Sequence, residues 1–600
     1  AVRLERAALL APAWLPLLLG PWAPRGAAAQ DLFSPADPLP GALRFRRRQQ
    51  QQDRPNIVWF FTDDQDLLLG GSFPAAALGG ATPMPKTRQL LFDQGSHATR
   101  WYAHTPICSP SRSQVLTGRY FHNLKAVGPQ EMHVNYTLVT QSSFPQILQE
   151  RAGYATGLFG KYLNQMPSEA PPGFDAWLAN DGGDYIAPSF QTKNIDGLPD
   201  GWVHFSKAPE NYSTAVIGNA SISWIRKIAA QGRPFMAYVA PKAAHEPFNP
   251  APWYASHWEA AWPDHEPRTP NWNCTACRAD HHGNVGTEPL LTEQAARVVT
   301  GVFKNRWRTL MSVDDLIADV VAAVDSIGLS DSTYFLHSSD HGFQLGQFNI
   351  PMDKRHVYEW DTRVHFLARG PGIKPGTDFA APATHVDVAP TILGLAGLEA
   401  PPSMDGRSVV PFLIAGARGA GASEEVPPAT RQHAVSLVGD DALGDASFAK
   451  FAAAWRSEVF IEHYFVALNP KCMQRCPPQG RYPNEDSACA ELLTGSACWC
   501  FPWETGHPQN CYNTEDDANN FIAVRRWANN ADELYAEFQR GSLASAPVDF
   551  GQTNFVEHFD LSVDPWQMRN LAADPSRAEE RARLSARLRE WLRCAGSSCP

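Results

Sequence analysis

The segment TPICSPSRSQVLTGRY, residues Thr105 to Tyr120, holds one cysteine, Cys108, far in sequence from the other ten. Ser109, Ser111 and Arg112 stand close beside it, so a thiol sits among hydroxyls and a permanent cation. Two further phrases carry adjacent polar ligands: FTDDQD, with Asp63 and Asp64, and HSSDHGFQLGQF, with Asp340 and His341. Acids of this kind hold a divalent cation or cap a helix, and residue type alone leaves both readings open. A cysteine with one such pair before it and another after it is a set from which metal-assisted nucleophilic catalysis can be built.

The elements that position these residues follow from hydrophobic patterning. PNIVWFFTDD is a short apolar run, β-branched and aromatic, that ends in acids as a buried parallel strand ending at a site would. Similar runs occur at Ala155 to Phe159, Phe235 to Ala240, Thr333 to His337 and Val364 to Ala368. Helical patterns lie between them at Thr87 to Gln94, Ser111 to Leu116, Ser143 to Arg151, Tyr212 to Ala230 and Glu293 to Ile327. Strands alternating with helices predict an α/β domain, a mostly parallel sheet with helices on both faces, whose active site gathers at the carboxyl ends of the strands. Composition shifts at residues 416–429, which read as a linker or surface loop. Beyond lie a cysteine-rich stretch, a strand-like NFVEHFDL and an amphipathic helix from about Ser576 to Arg593, which together form a smaller C-terminal subdomain. The expected organisation is a signal peptide at 1–29, a linker at 30–54, a catalytic domain at 55–414 and a C-terminal subdomain at 430–600 with a disulfide-rich segment at 472–511.

Bulk composition narrows the function. A chain of 600 residues is too long for one compact core, and 44% hydrophobic with 19% charged residues is ordinary for a globular protein. A formal charge of -11 without a long basic run argues against a nucleic-acid partner. The cationic cluster RFRRRQQQQDR, Arg44 to Arg54, reads as a solvated linker. Arg3 and Arg6 precede an apolar stretch broken by Pro12 and Pro16, and Ala27 to Ala29 offer a cleavage site, the layout of a secretory signal and too short for a membrane span. Apart from Cys108 the cysteines number ten: six within Cys472 to Cys511, and the close couples Cys274/Cys277 and Cys594/Cys599. That is a disulfide pattern of an oxidising compartment, favoured over zinc because no second ligand pair with finger-like spacing accompanies CWC. Sequons at Asn135, Asn211, Asn219 and Asn273 fit the same compartment, secreted, wall-associated, periplasmic or lysosome-like.

CSPSR followed by LTGR resembles the signature of the sulfatase family, matched by Cys108, Pro110 and Arg112 and continued by Leu116, Thr117, Gly118 and Arg119. The resemblance extends from about Pro55 to Gly397 and resumes at HFDLSVDPWQMRNLAADP. It implies an alkaline-phosphatase-like fold and maturation of Cys108 to formylglycine by a formylglycine-generating enzyme. The hydrated aldehyde carries two geminal hydroxyls, one to attack sulfur and one whose deprotonation expels sulfate. It further implies that Asp63, Asp64, Asp340, His341 and the converted Cys108 hold a metal, Ca²⁺ in most members. His341 stands where many members have Asn, and a nitrogen donor leaves Mg²⁺ or Mn²⁺ open. Lys161 in LFGKYLNQ and Lys354 in IPMDKRHVYEWD resemble the family lysines that contact the sulfate or its leaving oxygen, Lys354 taking the leaving oxygen. His245 in PKAAHEPFNP resembles the family's substrate-facing histidine.

One departure stands out. Many sulfatases carry a histidine two residues past the first active-site lysine, and here that position is Leu163. The GKYLN form resembles the branch containing glucosamine-6-sulfatases, heparan endosulfatases and algal arylsulfatases. The expected activity is a secreted sulfatase acting on aryl sulfates or sulfated carbohydrate. Alternatives are an N-acetylglucosamine-6-sulfatase-type exosulfatase, a phosphodiester or phosphonate hydrolase of the same fold, and an inactive binding protein. The expected partners are a sulfated small molecule or carbohydrate and the maturation enzyme, with no nucleic acid and no membrane span after signal removal.

Overall fold

The computed structural model describes residues 54–68, 80–128, 130–286, 288–415, 425–439, 445–465, 515–528 and 531–600, with short strands at 472–473, 498–500 and 511–512. The expected signal peptide, nearly all of the linker before Pro55, and most of the cysteine-rich segment 472–511 lie outside the described residues.

Strand β1, Asn56–Thr62, is buried along its whole length. Its side chains alternate between two apolar layers, Ile57, Trp59 and Phe61 in one and Val58 and Phe60 in the other, which is why the sequence reads as an unbroken apolar run. Around it forms a ten-stranded sheet. In chain order the other strands are β2 (Ser96–Ala98), β3 (Ala155–Lys161), β4 (Ala176–Asn180), β5 (Ser189–Lys193), β6 (Gly201–His204), β7 (Phe235–Ala240), β8 (Thr333–Ser339), β9 (Phe366–Arg369) and β10 (Thr377–Phe379). Across the sheet the order is β10-β2-β9-β8-β1-β7-β3-β4-β5-β6. The central run from β8 through β1, β7 and β3 to β4 is parallel, whereas β9, β5 and β6 run antiparallel to their neighbours.

Helices cover both faces. α1 (Cys108–Thr117), α2 (Phe144–Ala152) and α5 (Val388–Leu395) contribute to one apolar layer, and α3 (Ser213–Ala230) and α4 (Glu293–Ser326) to the other. The expected Thr87 to Gln94 helix is instead a three-residue helix, Pro85–Thr87, running into a wider π turn over Arg88–Phe92. The strands β4 to β6, which run out to one edge of the sheet, are short and carry polar residues, and patterning did not reveal them.

The C-terminal part forms a second, four-stranded antiparallel sheet in the order β11 (Glu458–His463), β12 (Phe521–Arg526), β13 (Glu533–Phe538), β14 (Phe555–Asp560). Of these only β14 was legible as a strand. The others place Glu458, Glu462, Arg525, Glu533 and Glu537 at buried, ion-paired positions, which interrupts the apolar alternation. The terminal helix α6, Ala578–Arg593, buries Leu584, Leu588 and Trp591. Trp591 stacks on Phe460 at 5.9 Å and donates to Glu458 at 2.8 Å. His104 and His122 both bond Glu462, at 2.8 and 2.9 Å, tying the two sheets together. Cys274 pairs with Cys277 and Cys594 with Cys599, the couples their spacing suggested, while Cys108 is a free, buried thiol. Among the described residues no helix is long and apolar enough to cross a membrane.

Gly160 shows how tightly β3 is held before Lys161. Its φ is +119°, and a Cβ there would lie 2.0 Å from the Ala240 carbonyl oxygen on β7. Gly160→Ala is therefore expected to cost about 2–3 kcal/mol, read as a lower denaturation midpoint, with activity falling as Lys161 shifts. An unchanged midpoint would contradict the close approach.

Candidate active site

The β ladder brings the two ligand pairs together. Asp63 and Asp64 follow β1, Asp340 and His341 follow the adjacent β8, and Asp340 N–H donates to Thr62 O at 3.2 Å. On the other flank Asp63 exchanges backbone bonds with Ala243 and Ala244 beyond β7, at 3.1 and 2.6 Å. Asp64 takes a left-handed φ of 56° and donates its N–H to the Asp340 carboxylate at 3.0 Å. The buried Arg306 of α4 donates to Asp64 O at 2.7 Å and pairs with Asp66.

Cys108 is the first residue of α1, all ten residues of which are buried. Its Sγ lies 3.6 Å from Asp63 Oδ1 and 3.6 Å from His341 Nε2. Ligand atoms of Asp63, Asp64, Cys108 and His245 fall within 4.8 Å of one another, as do those of Asp63, Cys108, Asp340 and His341. Each carboxylate also has a cation. Lys161 pairs with Asp63, Lys354 Nζ lies 2.8 and 2.9 Å from the two Asp64 oxygens, and Arg112 Nε lies 3.0 Å from Asp340 Oδ2. Arg112 further donates to Thr62 O and Lys161 O at 3.1 and 3.2 Å, linking three strand ends. Cys108, Arg112, Lys161, His245, Lys354, Asp63, Asp64, Asp340 and His341 are thus all brought to one place.

The electrostatics are those of a site that stabilises an anion beside a cation. Burial and Asp63 oppose ionisation of Cys108, but Lys161, Lys354 and His245 outweigh them and hold the thiol well below its ordinary range. Burial also works against Asp63 and Asp64. Lys161, His245 and Arg112 nevertheless keep Asp63 well below the usual carboxylate range, and Lys354 leads in bringing Asp64 to about 2. Asp340 goes the other way: burial and the nearby Asp63 push it up to about 7 despite His341 and Arg112. Burial opposes the imidazolium of His341, but Asp340, Cys108 and Asp64 raise it to about 9. His341 Nδ1 lies 3.0 Å from Gly342 O. A carbonyl only accepts, so Nδ1 carries the proton and Nε2 faces the acids, the orientation of a metal-ligating histidine. Three crowded carboxylates and one imidazole nitrogen fit a divalent cation of mixed oxygen and nitrogen preference.

His245 is partly buried, with Nδ1 2.9 Å from Glu246 O, which leaves Nε2 for the cluster. Leu163 is fully buried in the apolar layer beneath the sheet. The next residue, Asn164, bonds Ser109 Oγ through its backbone N–H at 2.8 Å and its side-chain oxygen at 2.9 Å. His104, a sequence neighbour of Cys108, is spent on Glu462 and Phe460 O. Sequence reasoning missed Arg306, which carries no local motif and sits mid-helix where arginine is ordinarily solvated. It also missed Lys242, three residues before His245: buried, bonded to Gly183 O, 5.3 Å from the Tyr185 ring, and lowered to about 8 by burial and by Lys161.

Residues 55–398, more than half of the chain, match the family described as Sulfatase. The chain belongs to the sulfatase family. It is a sulfuric ester hydrolase with the family's α/β fold. It is 29% identical to human N-acetylglucosamine-6-sulfatase, covering 91% of this chain and 86% of that protein. The arylsulfatase of Volvox carteri is 26% identical over 91% of this chain and 76% of its own length. An extracellular sulfatase homolog of Drosophila melanogaster is 33% identical over 62% of this chain and 33% of its own length. Among solved structures, one in complex with its substrate D-glucosamine-2-N,6-O-disulfate aligns with a TM-score of 0.57 and 20% identity, covering 90% of this chain and 97% of that one. The phosphonate monoester hydrolase of Silicibacter pomeroyi aligns equally well, at 0.57 and 20%, covering 91% of this chain and 96% of that one, so fold alone does not separate the two chemistries.

The Asp340 value of about 7 sets a pH dependence for this sulfatase's cluster. Below that value the carboxyl binds a proton that a cation must displace, as the His341 imidazolium does below about 9, so divalent-ion affinity is expected to fall from about pH 9 to about pH 6, with proton release on binding. Titration calorimetry in buffers of different ionisation heat reads both; an affinity that is flat over that interval would contradict the donor set.

Proposed function

We propose that this sulfatase removes 6-O-sulfate from glucosamine residues at the end of a sulfated carbohydrate, working in the secretory pathway or beyond it. The observation that carries the reading is the convergence on Cys108 of four candidate metal ligands and three buried cations. The full-length likeness to N-acetylglucosamine-6-sulfatase supports the substrate, and the cysteine couples with the N-terminal signal pattern support the compartment.

In this reading Cys108 is converted to formylglycine, and its thiol sulfur marks where the hydrate oxygens stand. Once converted, that residue supplies one hydroxyl to attack sulfur and a second to release sulfate. Asp63, Asp64, Asp340 and His341 would hold a divalent cation, which would supply Lewis acidity to the site. The protein's own groups do the rest. Residue 108 opens α1, so the positive end of that helix dipole adjoins the anion there. Lys161 neutralises sulfate charge from the end of β3, and Arg112 locks Asp340 against the ends of β1 and β3. Lys354 stabilises the departing sugar oxygen, where charge grows as the S–O bond breaks. His245, its Nδ1 fixed by Glu246 O, presents Nε2 on the same side. The position of a releasing histidine is an apolar core residue, Leu163; of the carboxylates and imidazoles clustered within 4.8 Å of Cys108, His245 is the one this reading does not assign to the cation.

Mass spectrometry of the tryptic peptide Trp101 to Arg112 from protein made in a secretory pathway is expected to show the thiol-to-aldehyde mass deficit at Cys108 and capture by an aldehyde-reactive tag. An intact thiol would overturn the nucleophile. Cys108→Ala should lose at least about 10³-fold in turnover. Lys354→Ala should lose about 10²–10⁴-fold on N-acetylglucosamine 6-sulfate and far less on 4-nitrophenyl sulfate, whose leaving group departs unaided. The likeness to the Volvox arylsulfatase favours a second reading, a broad arylsulfatase, which a higher kcat/KM on the aryl ester than on the sugar would support. Faster cleavage of a phenylphosphonate ester than of either sulfate would defeat both.

A further inference from the structure

The segment that delivers Lys354 is gripped from two sides. Toward the metal-ligand loop, Asp353 O accepts the Gln344 N–H at 2.7 Å. Toward the C-terminal sheet, Asn519 donates to Arg355 O at 3.0 Å, and Arg355 Nη1 lies 3.4 Å from Glu515 Oε2. The other Glu515 oxygen lies 2.5 Å from His463 Nε2 at the end of β11, and Asn519 lies two residues before β12. Arg355 Nε closes back on Asp353 Oδ2 at 3.5 Å. The Glu515 side chain is fully removed from solvent and that of Arg355 is 9% exposed.

The backbone between these grips is strained. Asp353 has φ 135° and Arg355 φ 93°, two residues with side chains in a region that favours glycine, one on each side of Lys354. Such conformations persist where the surroundings over-determine them, and they gather at functional sites. Burial pushes the Glu515 carboxyl well above its ordinary range against the pull of Arg355, so the value of this contact lies in geometry rather than in net charge. Both flanks of Lys354 are tethered while its Nζ reaches the two oxygens of Asp64.

We infer that Glu515 is a positioning residue for sulfate-ester cleavage: through Arg355 it holds the strained Asp353–Arg355 segment so that Lys354 meets the leaving oxygen. The C-terminal sheet thereby completes the active site without itself touching the reacting atoms. This rests on the reading of Lys354 as the group that stabilises the leaving oxygen, and the test separates the two.

The test compares kcat and KM on N-acetylglucosamine 6-sulfate, a poor leaving group, with those on 4-nitrophenyl sulfate, a good one. Full-length metal-loaded wild type, Glu515→Gln and Lys354→Ala are compared, with Glu533→Gln as control. Glu533 is buried and bonded to His558 and Arg526 in the same sheet, so its loss imitates a purely structural lesion. Glu515→Gln is expected to lower kcat on the sugar ester about tenfold, with KM and aryl-ester kcat changed less than about twofold. Glu533→Gln should change both substrates by the same factor. Arg355→Lys, which keeps the charge and loses the fork, should repeat the Glu515→Gln pattern and stands in for it should that variant not fold. Equal loss on both esters per folded molecule, or no loss, overturns the inference. Leaving-group dependence in Lys354→Ala without it in Glu515→Gln overturns this inference alone; its absence from Lys354→Ala overturns the reading of Lys354 and this inference together.

Discussion

Asp63, Asp64 and Asp340 are carboxylates held out of water within reach of one another, at the ends of adjacent parallel strands. Buried like charges repel and lose their hydration, so they persist only where cations or hydrogen bonds face them. The fold answers acid by acid, from different elements: Lys161 from the end of β3, Arg112 from α1, Lys354 from the loop after β8. Arg306 reaches in from α4 to hold the Asp64 carbonyl and Asp66. Asp340 is the member left least compensated, near 7, and it lies beside the His341 nitrogen. That pairing makes the cluster more than a structural ion-pair network, since one more cation would relieve it.

The same balance bears on the reaction. Three acids against three permanently or strongly charged bases leave the cluster close to neutral before anything binds. A divalent cation brings two positive charges and a sulfate ester one negative, so on the proposed reading entering together leaves one net charge in the dry cavity, which an ionised hydroxyl at position 108 would balance. The cations meanwhile hold the Cys108 thiol well below its usual range. Whatever oxygen or sulfur occupies that position, the surroundings favour its anionic form, as an activated nucleophile requires. The orientation needs no motion of long side chains, because Arg112, Lys161 and Lys354 are already fixed in bonds to the acids.

Much of this was legible in sequence for a physical reason. β1, β3, β7 and β8 are covered on both faces, so each reads as an apolar run that stops where the chain meets the site, and their ends carry Asp63, Lys161, Lys242 and Asp340. CSPSR resembles a signature because several neighbouring positions share one helix start. Arg306 was invisible because its role depends on where a 34-residue helix passes, and nothing local marks it. Lys242 was overlooked beside the more conspicuous His245, although burial makes it the more unusual residue. Leu163 stands out in sequence as a departure, and in the structure its side chain lies in the core.

The C-terminal sheet was the least legible part, and the reason is the same as its importance. Its strands bury Glu458, Glu462, Arg525, Glu533 and Glu537, so they lack the clean alternation by which a half-buried strand announces itself. Such residues tolerate burial only with partners, and some of those partners lie across the boundary: Glu462 takes His104 and His122, Arg525 takes Glu359, and Glu515 takes Arg355. Each contact lands near a segment that feeds the site, His104 on the approach to Cys108, Arg355 beside Lys354, Glu359 just past it. A purely apolar interface of the same area would hold the two sheets together but let them slide, because apolar contact is non-directional. Charge-assisted hydrogen bonds fix direction. The polar character that hid this sheet from pattern reading is therefore what allows it to set the approach of Lys354 to the acids.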